Sequence, residues 1–263
     1  MKGPARRNPS KRGGNQPEGH WVLPRFRLAW LVPISSVLLG ITLFLLNPLP
    51  LQTLRHTTFD QYQRWSPRVY APVPVHIIDI DEESLARIGQ WPWPRTRIAE
   101  MVARLQNAGA AAIAFDMMFS EADRTSPRAI LKLWNADPAL VQQLQALPDH
   151  DQVLAKVAAR GNVVFGHAVT RGSQTEASSH FAKPFSVVEL GESPSQFLHV
   201  FNGTVTALPK LQDAAAGNGA ITFIPDSDGI VRKIPIMLRL HGKPVPSLTA
   251  EALRVAQGER NII

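Results

Sequence analysis

The sequence predicts an α/β domain with a largely parallel sheet and crossover helices, completed by an antiparallel hairpin and preceded by one transmembrane helix. Three observations carry this prediction: a long uncharged apolar run near the N-terminus, a repeated order of amphipathic helix, glycine and short buried strand, and a turn-rich connector between two apolar stretches. Helix and buried strand in alternation are typical of parallel sheets with crossover connections.

The positive charge of the chain is concentrated at its N-terminus. The 263 residues carry a net charge of +7 and no cysteine. Residues 1–27 hold seven Lys or Arg side chains against the single acid Glu18, so the remainder is nearly neutral. This asymmetry argues against a nucleic-acid partner and is typical of a basic cytoplasmic tail beside a membrane. The absence of cysteine excludes disulfides and thiolate metal sites.

The apolar run follows directly after the basic tail. From Leu28 to Leu54 there is no charged residue, and the part up to Leu46 is long enough to cross about 30 Å of hydrocarbon as a helix. Asn47 and the prolines after it lack the small residues of a signal-peptidase site. We predict an uncleaved transmembrane helix over residues 28–50, with the tail of residues 1–27 in the cytoplasm.

A polar connector over residues 51–72 is expected to lead to an extracytoplasmic domain over residues 73–263. The domain begins with an apolar stretch, Val75 to Asp81, that reads as an interior strand covered on both faces. Periodic apolar positions then predict two helices, 97–107 and 153–158, each closed by a glycine. A buried strand follows each helix, the second strand at 111–116 and the third at 163–166.

The C-terminal part is expected to hold an antiparallel hairpin and a helix. Two apolar stretches, 220–224 and 230–238, flank a connector in which Asp226, Asp228 and Gly229 predict a tight structural turn rather than a calcium loop. Ser247 is a suitable N-cap for the last helix.

Three acidic residues, Asp79, Asp81 and Asp116, come at the carboxyl ends of predicted parallel strands. Folds of this kind place their ligand crevices at this edge, so the three are candidate binding residues. Carboxylates from separate elements could hold Mg²⁺ or Ca²⁺, but strand-end acids also cap helices and accept loop hydrogen bonds. We therefore expect neither a metal nor a cofactor. The alternative is a membrane-tethered, metal-dependent phosphohydrolase that uses these aspartates.

The most unusual local run is Trp-Pro-Trp-Pro-Arg at residues 91–95. Trp91, Trp93 and Arg95 on a proline-stiffened loop could stack against a ligand, or the two indoles could close over the sheet edge before the helix begins. The sequence contains no nucleophile elbow, zinc-ligand spacing or phosphate loop, so we expect no catalysis.

These residues together resemble a known family. The stretch Ile77 to Asp81, Trp-Pro-Trp-Pro-Arg, Phe115-Asp116 and Pro246-Ser247-Leu248 are similar to the second class of CHASE domains, the extracytoplasmic sensory domains associated with bacterial cyclases and histidine kinases. Further matches, between about Phe59 and about Val255, are Ser84-Leu85, Gly89, Phe119, Asn162-Val163-Val164, Pro225-Asp226, Asp228-Gly229 and Arg232.

The resemblance implies a sensory input domain in the inner membrane of a bacterium, coupled to an adenylate, guanylate or diguanylate cyclase or to a kinase. It also implies further sensory sequence and a second span, so the domain is expected to be incomplete at its C-terminus. The expected partners are the lipid bilayer, a small-molecule or protein stimulus, and a second copy of the chain. The candidate ligand-binding residues are Asp79, Asp81, Ser84, Trp91, Trp93, Arg95 and Asp116.

Overall fold

The computed structural model describes Gly3 and residues 25–131, 137–172 and 187–262. The chain divides into two compact units, Met1–Pro72 and Val73–Ile263. Most of the predicted cytoplasmic tail lies outside the described residues, and so do residues 173–186.

The first unit contains two helices, α1 (Arg25–Leu46) and α2 (Leu49–Trp65). They are bent by 83° at Asn47-Pro48, because Asn47 takes φ 42° and Pro48 has no N–H to continue the first helix. Within the described residues no single helix is long and apolar enough to cross a bilayer, whereas this bent pair passes the same test of length and composition. The single span predicted over 28–50 is thus replaced by a helix that ends at Leu46.

The predicted polar connector over 51–72 contains most of helix α2, which continues as far as Trp65. Pro50 lies in the first turn of α2, where a missing N–H removes no intrahelical hydrogen bond.

The second unit is built on a mixed sheet that confirms the predicted α/β class. Strand β1 (Ile113–Phe115) pairs in parallel with β2 (Val163–Thr170), and β2 pairs in parallel with β5 (Gly217–Ala220). The end of β2 pairs antiparallel with β4 (Gly203–Val205). The second and third predicted strands are therefore present as β1 and β2.

Helices precede, connect and follow these strands. The helices are α3 (Glu82–Ile88), α4 (Arg95–Asn107), α5 (Pro127–Leu131), α6 (Pro138–Ala146), α7 (His150–Ala158), α8 (Pro209–Ala214) and α9 (Leu248–Ala256). The main core forms where α4, α7 and α8 pack on one face of the sheet, with Val102, Leu154 and Leu211 against Phe115 and Phe165. Of the periodic positions that predicted α4 and α7, half are buried and the others are partly buried against the same core; the buried ones are Ile98, Val102, Leu154 and Ala158.

Two glycines of β5 allow α9 to pack closely on the sheet. A Cβ at Gly219 would collide with the backbone of Leu248, and a Cβ at Gly217 would collide with the carboxylate of Glu251. Ser247 caps α9 as predicted, since its Oγ accepts the Ala250 N–H at 3.3 Å. The buried carboxylate of Glu251 forms an ion pair with Arg254 at 2.7 Å.

A small second sheet corrects the predicted hairpin. Strand β6 (Met237–Leu240) pairs antiparallel with β7 (Lys243–Pro246) and in parallel with β3 (Val200–Phe201), so the hairpin turns at His241-Gly242. The two stretches predicted to pair, 220–224 and 230–238, do not pair with each other. The reason is that β5 takes its hydrogen bonds from β2, which leaves the later stretch to pair with β7.

The first predicted strand, Val75 to Asp81, is also wrong as stated. Residues 75–81 form no strand in the structure, and Ile77 is 91% exposed. An apolar run becomes a strand only when a neighbour accepts and donates its backbone hydrogen bonds. Among the described residues, none pairs with this stretch.

Candidate functional site

A stiff loop of alternating tryptophan and proline leads into helix α4. The Trp91-Pro92 peptide bond is cis, and Pro94 occupies the position before the helix. The indole Nε1 of Trp93 donates to the Gly89 carbonyl at 2.7 Å, and the Trp91 ring lies edge-on to it with 5.7 Å between centroids. The loop therefore holds both indoles in fixed positions beside α4.

The two indoles line an apolar pocket of about 370 Å³, here called the Trp91 pocket. Its walls come from the end of the 75–81 stretch, from the Trp loop, from α4 and from the end of β1. The side chains that form it include Ile80, Trp91, Trp93, Met101, Phe115 and Met117, while Arg97, Glu100 and Arg104 add charged groups. Apolar walls with a few charged groups are typical of small-molecule sites, and the volume suits a small ligand.

Arg95 does not line this pocket, because its side chain is buried in a charged cluster. The guanidinium is 11% exposed, lies 4.3 Å from the centre of the Phe119 ring, and has its Nε 3.5 Å from Oδ1 of Asp151. Asp151 is itself only 1% exposed. The Arg95 backbone N–H donates to Oδ2 of Asp123 at 2.7 Å. We call Arg95, Asp123, Asp149, His150 and Asp151 the Arg95 cluster.

Hydrogen bonds join the members of this cluster to one another. The Asp123 backbone N–H donates to Oδ2 of Asp151 at 3.0 Å, and Oδ1 of Asp123 accepts both the N–H and the hydroxyl of Thr125. The Nδ1 atom of His150 lies 3.2 Å from Oδ2 of Asp123. Asp149 caps α7 and binds Lys210 of α8 at 2.7 Å.

Burial and charge shift the pKa values of the cluster in different directions. Burial raises the pKa of Asp151 above its usual value, and the nearby Asp149 carboxylate adds to this effect. Burial acts in the same direction on Asp123, but hydrogen bonds from Arg95 and Thr125 outweigh it, so the pKa of Asp123 is lowered. Burial also lowers the pKa of Arg95, although the two aspartates oppose this.

The structure gives the predicted strand-end acids different environments. Asp81 caps α3, where its Oδ1 accepts the backbone N–H of Ser84 at 2.8 Å. Hydrogen bonds from the Ser84 side chain and backbone lower the pKa of Asp81. Asp79 and Asp116 are exposed, and neither lines the Trp91 pocket. Of the seven candidate binding residues, only Trp91 and Trp93 line that pocket.

The turn predicted at Asp226, Asp228 and Gly229 is closed by backbone and side-chain bonds. The Gly229 N–H donates to the Asp226 carbonyl at 2.9 Å, and Gly229 takes φ 80°, which suits a glycine. The guanidinium of Arg232 binds both carboxylates, at 3.0 Å for Asp226 and 2.7 Å for Asp228. The two acids are thus held by a cation of the chain itself.

Sequence reasoning missed the aspartates that surround Arg95. Asp149 and Asp151 precede the apolar stripe of α7, so the N-cap role of Asp149 could have been found from its position. Asp123 lies in an ordinary polar loop and reaches Arg95 from 28 residues away in sequence. No local signal marks such a contact.

These features define a class, an α/β module with a ligand-sized apolar pocket at the edge of its sheet. A comparison with family models makes the assignment specific: the CHASE2 domain matches residues 36–263, and the chain belongs to this family. The resemblance based on the Trp-Pro-Trp-Pro-Arg run is therefore confirmed. CHASE2 domains are extracellular sensory domains of signalling receptors. Comparisons with curated proteins and with solved structures gave no match.

Proposed function

We propose that the chain is the membrane-anchored, extracytoplasmic input domain of a bacterial receptor, with no catalysis of its own. Its output would be a cyclase or a kinase. The observation that carries this proposal is the Trp91 pocket in a domain of the CHASE2 family. The stimulus would be a small molecule with an apolar body, because carbon atoms of indole, methionine and phenylalanine side chains form most of the pocket.

The charge pattern and the first helix support the proposed anchoring. Helix α1 has exposed apolar side chains along its described length, among them Trp30, Leu38 and Phe44. Exposing these apolar side chains to water would be unfavourable, whereas exposing them to the hydrocarbon of a bilayer is not. The seven basic residues of the stretch 1–27 favour a cytoplasmic N-terminus by the positive-inside rule, and the second unit would then lie outside the cytoplasm.

Labelling of single cysteines tests this orientation, since the chain has none of its own. We expect a membrane-impermeant maleimide to label the Gln142→Cys variant in intact spheroplasts, because Gln142 is exposed on α6. The Ser10→Cys variant, in the basic tail, should react only after lysis. The reverse pattern, or equal labelling before lysis, would contradict the proposed topology.

Filling the pocket tests the sensory role. In a receptor that carries this domain, Met101→Trp places an indole in the Trp91 pocket. The response of the output activity to the stimulus should then fall at least about tenfold, because a filled pocket cannot take up a ligand. Dose-response curves of the output activity measure this change.

Met118→Trp is the matched control for this experiment, because Met118 is exposed and does not line the pocket. Receptor with Met118→Trp should respond like the wild type. Equal responses from the two variants, with equal thermal stability, would remove the pocket as the sensory site.

A further inference from the structure

The stretch of residues 75–80, here called the 75–80 segment, is apolar yet uncovered. Its Val75, Ile77 and Ile78 are all exposed, and the β-branched side chains that dominate it favour extended backbone. In the described part of the chain, its backbone groups pair with no strand. A segment whose backbone groups pair with no strand is a ready partner for the edge of a sheet.

The edge of β1 offers such a partner within the same unit. As far as the described residues show, β1 pairs only with β2, so one edge of β1 carries free N–H and C=O groups. Helices α3 and α4 lie between the 75–80 segment and β1 in sequence. Strand, helix and strand in this order form a crossover unit, whose two strands run parallel and side by side in most sheets.

The Trp91 pocket indicates which side chains of the two stretches lie on the same face of the sheet. Ile80, Phe115 and Met117 all line it, so the end of the segment already lies close to the end of β1. If Ile80 stands opposite Met117, then Ile78 stands opposite Phe115 and Ile77 opposite Ala114. The alternation of a strand then puts Ile78 and Ile80 on the pocket side of the sheet.

We propose that the 75–80 segment docks as a parallel strand on the free edge of β1 and closes the side of the Trp91 pocket next to Phe115. The structure shows the undocked form of the 75–80 segment. Docking pairs the free backbone groups of both stretches and covers Ile78. The inference concerns strand pairing inside one unit, so it does not depend on the proposed sensory role.

In the same register, the docked form brings two negative charges close together. Asp79 comes opposite Asp116, and two carboxylates at facing positions of neighbouring strands repel each other. Both side chains are exposed in the undocked form. Neutralising one of them should therefore favour docking.

A pair of engineered cysteines measures the docking directly. In the full chain, kept in mild detergent, we expect the Ile77→Cys/Ala114→Cys variant to form an intramolecular disulfide at least about tenfold faster than Val75→Cys/Ala114→Cys. Facing residues of parallel strands are about 5 Å apart, while an offset of two residues adds about 6.6 Å along the strand, beyond disulfide reach. All three side chains are exposed, so the substitutions leave the core intact.

Adding Asp79→Asn to the facing pair should raise the rate further. Equal rates for the two pairs, no disulfide in either, or a disulfide-linked dimer would overturn the proposal. An unchanged rate with Asp79→Asn would overturn the assigned register.

Discussion

Replacing Arg95 by Met is expected to lower the free energy of unfolding by about 3–5 kcal/mol, among the largest effects of any single substitution in this chain. The change removes the cation that faces the 1% exposed carboxylate of Asp151 and leaves that buried negative charge with a hydrogen bond from the Asp123 N–H but no ion pair with Arg95. Urea unfolding of the full chain in mild detergent, followed by circular dichroism, measures the loss.

Arg97 on the same helix is the matched control. Its ion pair with Glu100 joins two side chains that are each 59% exposed, and such surface pairs contribute about 1 kcal/mol or less. Arg97→Met should therefore change the free energy of unfolding by less than about 1 kcal/mol. Adding Asp151→Asn to Arg95→Met should restore part of the lost stability. Equal losses in the two single variants would show that the Arg95 cluster has no special role.

The second large effect is a dependence of stability on pH through His167. Burial in strand β2 lowers the pKa of this histidine from 6.5 to about 3. The unfolded chain therefore binds a proton below pH 6.5 that the folded chain does not bind until about pH 3. The contribution of His167 to the free energy of unfolding is therefore complete above pH 6.5. Between pH 6.5 and about 3 it decreases by about 1.4 kcal/mol for each unit that the pH falls.

The interval from pH 6.5 to 5 gives the clearest measurement, because ordinary carboxylates stay ionised there in both states. Wild-type protein should lose about 2 kcal/mol of unfolding free energy over this interval, and the His167→Gln variant should lose almost none. His199→Gln, at an exposed position, should keep the wild-type slope. The raised pKa of Asp151 acts in the opposite direction, so the difference between wild type and His167→Gln isolates the histidine. Parallel slopes for all three proteins would contradict this role of His167.

The helices predicted correctly are those whose apolar spacing or capping residue can be recognised within the helix itself. Ile98 and Val102 recur at helical spacing in α4, and Ser247 stands one residue before α9, so periodicity and capping were sufficient there. The strand at residues 75–81 failed for the opposite reason. Its apolar pattern is local, but a strand needs a second chain segment at its side, and no local pattern says whether that segment is in place.

The candidate site was only partly predictable for a similar reason. The two tryptophans drew attention because indoles on a proline-rich loop are unusual, and both line the pocket. Met101 and Phe115, which complete its walls, look in sequence like any other core residues of α4 and β1. Arg95 was assigned to ligand contact because it shares the proline-stiffened loop with the two tryptophans. Its actual partners, Asp123 and Asp151, are 28 and 56 residues away and leave no local signal.

The Arg95 cluster also has a mechanical consequence. Helices α4 and α7 both begin at the cluster, and Lys210 brings in the first turn of α8, so the N-terminal ends of three core helices are joined at one point. The three helices are therefore tied together twice, by ion pairs and hydrogen bonds at their N-terminal ends and by the shared apolar core along their length.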